Sequence, residues 1–172
     1  SYAVVSGGLR NKVNSSANFA AIGGGDDNVI GVSALEATIG GGGDNVIGLN
    51  AQFATIGGGF INAIGDVSQR ATIAGGSDNL IQSNSIAATI GGGINNTIGT
   101  DSHSTTIAGG SSSAIGTNSF GASILGGIVN AVGNIAPRST IGGGGANTIQ
   151  AFAANSTIAG GTNNSVAASY AV

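Results

Sequence analysis

A 17-residue repeat runs through the whole chain and constrains its fold more than any other feature. One position, nearly always isoleucine, recurs ten times at this spacing without insertion or deletion. A strict period of this kind is typical of solenoids, in which each repeat forms one coil that stacks on its neighbours. We number the positions of each repeat from 1, at this isoleucine, to 17, and the coils from 1 to 10. The ten coils start at Val5, Ile22, Ile39, Ile56, Ile73, Ile90, Ile107, Ile124, Ile141 and Ile158.

The positions of the repeat divide into fixed and variable ones. Positions 3 and 4 are Gly in all ten repeats, which indicates a positive φ or an approach too close for a Cβ atom. Position 9 is always Ile or Val, position 13 is Ala or Ser in nine repeats, and positions 16 and 17 usually read Ala-Thr. Positions 5 and 15 vary in size and polarity. Fixed positions are therefore expected to fill a core or shape a turn, and variable positions to face solvent.

The fixed residues favour strands over helices. The Gly residues, on average three or four per 17 residues, would cost a helix about 0.8–1 kcal/mol each relative to Ala. The β-branched residues at positions 1 and 9 suit strands. The segments 37–39 and 45–48 are short, alternating and bounded by Gly. The sequence predicts an all-β fold, a parallel β-solenoid of ten 17-residue coils that forms one domain over residues 1–172. Each coil would hold two or three short strands, with the Thr of position 17 facing outward.

Position 7 is Asn in nine of the ten repeats. Asn at one corner of stacked coils can form a ladder in which the side-chain amides bond to one another and to the turn backbone. Ser113 interrupts the series once. The predicted ladder contains Asn11, Asn28, Asn45, Asn62, Asn79, Asn96, Asn130, Asn147 and Asn164.

The composition argues against several classes of function. Only 6% of the residues are charged and four are Lys or Arg, too few for the basic patch that nucleic-acid binding requires. The sequence contains no run of 18 apolar residues, so we expect no membrane insertion. His103 is the only histidine and the seven carboxylates are scattered, so we expect no enzyme activity, catalytic residue or cofactor. Position 6 is Asp only at Asp27, Asp44 and Asp78, so no repeated calcium or other metal site is expected.

Parts of the repeat resemble known β-roll families. The segments 45–48 (Asn-Val-Ile-Gly) and 96–99 (Asn-Thr-Ile-Gly) are similar to the x-x-N-x-V-x-G repeats of grass antifreeze β-rolls. The Ala-Thr-Ile-Gly-Gly-Gly segment 37–42 resembles the β-roll heads of trimeric autotransporter adhesins and related repeats of bacterial surface proteins and phage tail fibres. The resemblance implies β-roll architecture and an extracellular or cell-surface location, although coils of these families are shorter.

Outward positions carry apolar side chains, among them Phe19, Phe53, Phe60, Ile61 and Ile94. Exposed apolar residues on a rod usually mark an interface, and the surface has little charge. We therefore expect a structural self-assembling protein, a subunit or segment of an extracellular fibre, stalk or adhesin-type surface assembly. Its partner would be itself, through lateral packing, end-to-end stacking of coils, or both. Leu35 and Ile86 are further residues expected to face outward.

An alternative is an ice-binding (antifreeze) protein. The residues at position 17 would form a flat rank with Gly or Ala two positions further on, and such a strip can order ice-like water. An ordinary exposed strand also favours Thr, so the pattern fits a structural function equally. Receptor or carbohydrate adhesion is a third hypothesis. The candidate flat face contains Thr38, Thr55, Thr72, Thr89, Thr106, Ser123, Thr140 and Thr157.

Overall fold

A computed structural model describes residues 2–171 and shows a parallel β-solenoid. Twenty two-residue strands, β1 to β20 in chain order, form two ten-stranded parallel sheets with one strand of each coil in each sheet. The all-β solenoid fold predicted from the 17-residue period is confirmed. Residues 2–171 contain no helix, and hence none long and apolar enough to cross a membrane.

The first sheet is built from position 17 and position 1 of each repeat, and the second from positions 8 and 9. The strands of the first sheet are β1 (Val4–Val5), β3 (Ala21–Ile22), β5 (Thr38–Ile39), β7 (Thr55–Ile56), β9 (Thr72–Ile73), β11 (Thr89–Ile90), β13 (Thr106–Ile107), β15 (Ser123–Ile124), β17 (Thr140–Ile141) and β19 (Thr157–Ile158). The strands of the second sheet are β2 (Lys12–Val13), β4 (Val29–Ile30), β6 (Val46–Ile47), β8 (Ala63–Ile64), β10 (Leu80–Ile81), β12 (Thr97–Ile98), β14 (Ala114–Ile115), β16 (Ala131–Val132), β18 (Thr148–Ile149) and β20 (Ser165–Val166).

Each coil stacks on the next in a register of one whole repeat. Thr38 pairs with Thr55, and Ile39 pairs with Ile56, and the same relation holds through both sheets. Equivalent residues therefore lie above one another at the interstrand spacing of about 4.8 Å, so that ten coils extend over roughly 48 Å.

The thin interior of coils 2–9 holds five fixed positions, one of which is the Asn or Ser of position 7. The Ile side chains of positions 1 and 9 are buried, as are the Ala or Ser side chains of positions 13 and 16. Within β5 the strand alternation places Ile39 inside and leaves Thr38 half-buried at the surface. Because one coil contributes only two large apolar side chains, its stability depends on contact with the coils on either side.

Three corners of each coil adopt a backbone conformation that the sequence analysis did not predict. Positions 6, 12 and 15 have φ between 52° and 66° in almost every coil, although only one of these residues is Gly. In the third coil they are Asp44, Asn50 and Phe53. Asn and Asp tolerate this left-handed region best among non-Gly residues. The frequent Asn, Asp and Ser at positions 6 and 12 could have indicated this left-handed conformation from the sequence.

The Gly of position 4 is required for two reasons at once. Its φ lies between 89° and 102° along the rod. A Cβ atom on Gly42 would lie 2.0 Å from the carbonyl oxygen of Gly59 in the next coil, whereas one on Gly41 would meet no atom closer than 3.8 Å. Positive φ and close approach therefore both act at position 4, and it is this glycine that lets neighbouring coils come together.

Candidate functional site

The Asn residues of position 7 form a continuous stack inside the rod. The Nδ2 group of Asn45 donates to the Oδ1 atom of Asn28 at 3.0 Å, the carbonyl oxygen of Gly41 at 3.1 Å and that of Gly59 at 3.0 Å. The backbone N–H of Asn45 also donates to the Oδ1 atom of Asn28, at 3.1 Å. Asn45 is fully buried. Each amide therefore bonds its own corner and both neighbouring coils, which is a structural role.

Ser113 keeps the hydrogen bonds between backbone N–H groups and side-chain oxygens along this stack, but it lacks the bonds from a side-chain amide to the glycine carbonyls. Its N–H donates to the Oδ1 atom of Asn96 at 3.1 Å, and its Oγ atom accepts the N–H of Asn130 at 3.3 Å. Ser113 has no amide nitrogen to reach the glycine carbonyls. The coil nevertheless keeps the same register, so one such replacement is tolerated.

A second internal stack, of hydroxyl groups, was missed by the sequence analysis. At position 13 each Oγ atom donates to a carbonyl oxygen of the next coil at 2.7–2.9 Å and accepts a backbone N–H from that coil at 3.1–3.2 Å. In the sequence, the presence of either Ala or Ser at this position indicated only that the side chain is small. No buried side-chain nitrogen or oxygen among the described residues lacks a hydrogen-bond partner. The stack contains Ser68, Ser85, Ser102 and Ser119.

The candidate flat face lies on the outer side of the first sheet as one rank of residues in register, which we call the Thr rank. All eight of its residues are half-buried, and the β-ladder aligns them from coil to coil, as for Thr89 and Thr106. Between residues 2 and 171, the Thr hydroxyls that donate hydrogen bonds are those of Thr100 and Thr105, neither of which belongs to the rank. The hydroxyls of the rank are therefore available to water. Leu125, at the usually small position 2, protrudes beside it.

Titratable groups do not converge on any catalytic arrangement in the described part of the chain. Arg10 pairs with Asp26 at 3.3 Å and with Asp27 at 2.6 Å, and these carboxylates, Asp26 foremost, raise the pKa of Arg10. All three groups are solvent-accessible, and ion pairs of this kind contribute little stability. Asp27 and Asp44 occupy the same position on neighbouring coils, where a repeated metal site would have been formed. Residues 2–171 contain no group of three or more His, Cys, Asp or Glu that could hold a metal.

His103 is held by structural contacts. Its Nδ1 atom accepts the backbone N–H of Ile86 at 3.0 Å, and its ring lies 5.3 Å from the ring of Phe120 in the next coil. A cavity of about 350 Å³, lined in part by Ile158, Asn164 and Val166, lies at the last coil. It opens at the end of the stack and is not enclosed between coils. Neither feature assembles the groups that acid–base chemistry needs.

A row of exposed apolar side chains, interrupted by small and polar ones, lies at the corner between the two sheets. Position 5 forms a third ladder, of single-residue parallel bridges, from Leu9 to Thr162. We call positions 5 and 6 of coils 4–9 the corner ridge; its residues are 60–61, 77–78, 94–95, 111–112, 128–129 and 145–146. Phe60 is 50% exposed, Ile94 57% and Ile128 60%. Ile61 and Val129 are exposed beside them.

Other outward apolar residues are scattered along the rod; some are paired within the chain, and others, such as Phe152 at 69%, are exposed. Phe19 stacks on Tyr2 with 5.6 Å between ring centroids, and the guanidinium of Arg70 lies 5.7 Å from the ring centroid of Phe53. Leu35 and Ile86 were expected to face outward, and both are half-buried.

No protein-family model matches the chain, and no curated protein was found to be significantly similar to it. Inference about function therefore depends on the corner ridge and the Thr rank.

Proposed function

We propose that this protein is a structural self-assembling repeat protein, a subunit or segment of an extracellular fibre, stalk or adhesin-type surface assembly. The observation that carries the proposal is the corner ridge, where Phe60, Ile94 and Ile128 are each at least half exposed. Clusters of exposed apolar side chains mark interaction sites on soluble proteins.

The backbone at the corner ridge strengthens this interpretation. Ile61 has φ 55° and Val129 has φ 58°, a left-handed conformation that is rare for β-branched residues and costs roughly 1–2 kcal/mol. At the same position other coils carry Asp44, Asp78 or Asn95, which adopt it more readily. Because both apolar residues are also exposed, neither packing nor local conformation favours them. Contact with another molecule supplies a physical reason for their presence.

The scarcity of charge supports association between rods. Only 6% of the residues are charged, whereas the surface of a soluble monomer usually carries several times that share. Asp78 is the single charged residue on the corner ridge, so two such ridges meet little electrostatic repulsion. The resemblance of segment 37–42 to adhesin heads and phage fibre repeats is consistent with a location outside the cell or at its surface.

Sedimentation velocity over a wide range of concentrations, with electron microscopy of the same samples, tests the proposal. We expect a concentration-dependent shift from single rods to dimers or larger assemblies. Single rods that stay monodisperse at high concentration would refute the proposed self-assembly.

Ice binding is the second candidate, because the Thr rank is in register from coil to coil and its hydroxyls donate no hydrogen bond to a described residue. Thermal hysteresis and ice shaping are the measurements. If the rank binds ice, Thr72→Tyr abolishes the activity, whereas Thr97→Tyr retains it. Thr97 is the matched control, since it is equally half-buried on the second sheet. Absence of ice activity in the unaltered protein would eliminate this candidate.

A further inference from the structure

We infer that two copies of this chain pair antiparallel through the corner ridge, with the apolar side chains of one copy seated in the gaps of the other. The inference rests on the self-association proposed above and specifies its partner, surface and orientation. The partner is a second copy of this chain, related by a two-fold axis perpendicular to the rod.

Large and small side chains alternate along position 5 of the corner ridge. The knobs are Phe60, Ile94 and Ile128, and the gaps between and beyond them are Ser77, Ser111 and Gly145. The bridge ladder places these six residues on consecutive coils, in the order knob, gap, knob, gap, knob, gap. Successive knobs are therefore two coils, or about 9.6 Å, apart. All three gap residues are half-buried, whereas the knobs are exposed.

This pattern is self-complementary in the antiparallel orientation. With the two-fold axis between coils 6 and 7, Ile94 faces Ser111 of the second copy. In the same way Ile128 faces Ser77, and Phe60 faces Gly145. All three knobs thus meet gaps, six times in the pair. Parallel rods at equal height would instead set each knob against its own equivalent. A two-fold pairing of this kind closes, as most homodimer interfaces do.

A second antiparallel register also sets all three knobs against gaps, with the axis between coils 5 and 6. It would require Ile128 to enter the gap at Gly43. That gap is already covered, because a Cβ atom on Gly43 would lie 3.1 Å from the Cδ2 atom of Phe60. The ring of Phe60 thus extends toward coil 3 and leaves the Ser77 side open. The register with the axis between coils 6 and 7 is therefore favoured.

The flanking rows are compatible with this register. It places Asp78 of one copy opposite Val129 of the other, and the two Asp78 residues three coils apart, about 14 Å along the rod. Leu125 faces Ala74, and Leu80 faces Ala131, so protruding residues again meet small ones. No pair of like charges comes together on the ridge.

The size of the ridge predicts a weak dimer. Six coils span about 29 Å, and a contact roughly 20 Å wide would bury about 600 Å² on each copy. This lies near the lower end for specific interfaces, which bury about 800 Å² on each partner. A dissociation constant in the micromolar range is expected.

The first arm of the test compares two substitutions by sedimentation velocity. Ile94→Glu places a charge at the centre of the ridge, whereas Leu9→Glu changes the same position of coil 1 outside it. The two residues are matched, at 57% and 58% exposed. Position 5 accommodates Asp26 in coil 2, so neither charge should prevent folding, which circular dichroism checks. We expect Ile94→Glu to weaken dimerisation at least about 30-fold and Leu9→Glu to leave it unchanged.

The second arm measures orientation. The chain contains no Cys, so a single introduced thiol reports one position. Ile128→Cys protein is mixed with Ser77→Cys protein and treated with a bismaleimide whose reach is shorter than three coils. Antiparallel pairing predicts cross-linking in the mixture and not within either variant alone.

Each outcome separates the inference from the proposed function. An unaltered protein that remains monomeric overturns the proposed function and the inference together. Association that Ile94→Glu and Leu9→Glu affect equally overturns the inference alone. Cross-linking of Ile128→Cys protein with itself, without cross-linking in the mixture, overturns the inferred antiparallel register.

Discussion

The Asn stack and the Thr rank are both columns of one polar residue per coil, yet they differ in what holds them. Asn45 is fully buried and its side-chain amide bonds both neighbouring coils. Thr38 is half-buried on the outer face of the first sheet, and its hydroxyl bonds no described residue. Identical periodicity in the sequence therefore corresponds to two different physical causes.

The difference shows which repeated residues the fold requires. A buried amide that loses its partners leaves donors and acceptors unsatisfied, at about 1–3 kcal/mol each. An outward Thr on a strand contributes mainly its preference for β structure, within about 1 kcal/mol. The inner column should thus respond strongly to substitution and the outer one weakly. Four predictions follow that order, from the largest effect to the smallest.

The largest effect is expected where the coils approach most closely, beside the Asn stack. A Cβ atom on Gly76, whose φ is 94°, would lie 2.1 Å from the carbonyl oxygen of Gly93. Gly76→Ala should lower the free energy of unfolding by about 3–5 kcal/mol, measured in urea. Gly75→Ala is the matched control, since its Cβ would lie 3.8 Å from the nearest atom. Equal losses in both variants would contradict the close-approach explanation.

Removing one amide of the inner column should be the next largest effect. Asn62 donates to the carbonyl oxygens of Gly58 and Gly76 and accepts the N–H of Asn79. Asn62→Ala should reduce the free energy of unfolding by about 2–4 kcal/mol. Asn62→Ser should lose less, because Ser113 retains the backbone bond of the stack. A Ser variant as unstable as the Ala variant would show that the retained bond contributes nothing.

The corners allow a gain of stability. Val67 has φ 60°, and Asn50 occupies the same position one coil earlier with φ 53°. Val67→Asn should raise the free energy of unfolding by about 1 kcal/mol, because Asn tolerates the left-handed region. The reverse change, Asn50→Val, should lower it by a similar amount. Thermal unfolding of both variants measures the pair, and shifts of the same sign would contradict the conformational explanation.

The smallest effect is expected in the outer column. Thr72→Val keeps the β-branched shape and removes a hydroxyl that bonds no described residue, so the free energy of unfolding should change by less than about 0.5 kcal/mol. Chemical denaturation measures the free energy of unfolding of this variant and of Asn62→Ala. If Thr72→Val loses as much stability as Asn62→Ala, the inner and outer columns do not differ in the way described above.

The sequence predicts the solenoid because its period is strict and its core residues are few. Ile39 and Ile47 are fixed in every equivalent coil, and their spacing with the intervening Gly run sets two strands per coil. The Asn ladder was predicted for the same reason, since nine of the ten repeats carry Asn at position 7. These features are local, repeated and enforced by burial.

Other features escaped because their physical cause does not restrict residue type strongly. The left-handed corners carry Asp44, Phe53 and Val67 at different conformational cost, because their side chains face solvent and are not selected by packing, so the position looks variable. The third ladder at position 5 is made by backbone groups alone and leaves no side-chain signature. The alternation of knobs and gaps on the corner ridge has a period of two coils. The sequence analysis treated position 5 only as variable, and the exposure of the large residues draws attention to their alternation.

Small-angle X-ray scattering across a concentration series tests lateral self-association most directly. A single rod of ten coils should be roughly 48 Å long. The antiparallel pair, offset by two coils, should be roughly 58 Å long with a clearly larger cross-section. We predict that increasing concentration widens the particle far more than it lengthens it. Scattering that keeps the dimensions of one rod at every concentration, or that doubles in length at constant cross-section, would contradict lateral association through the corner ridge.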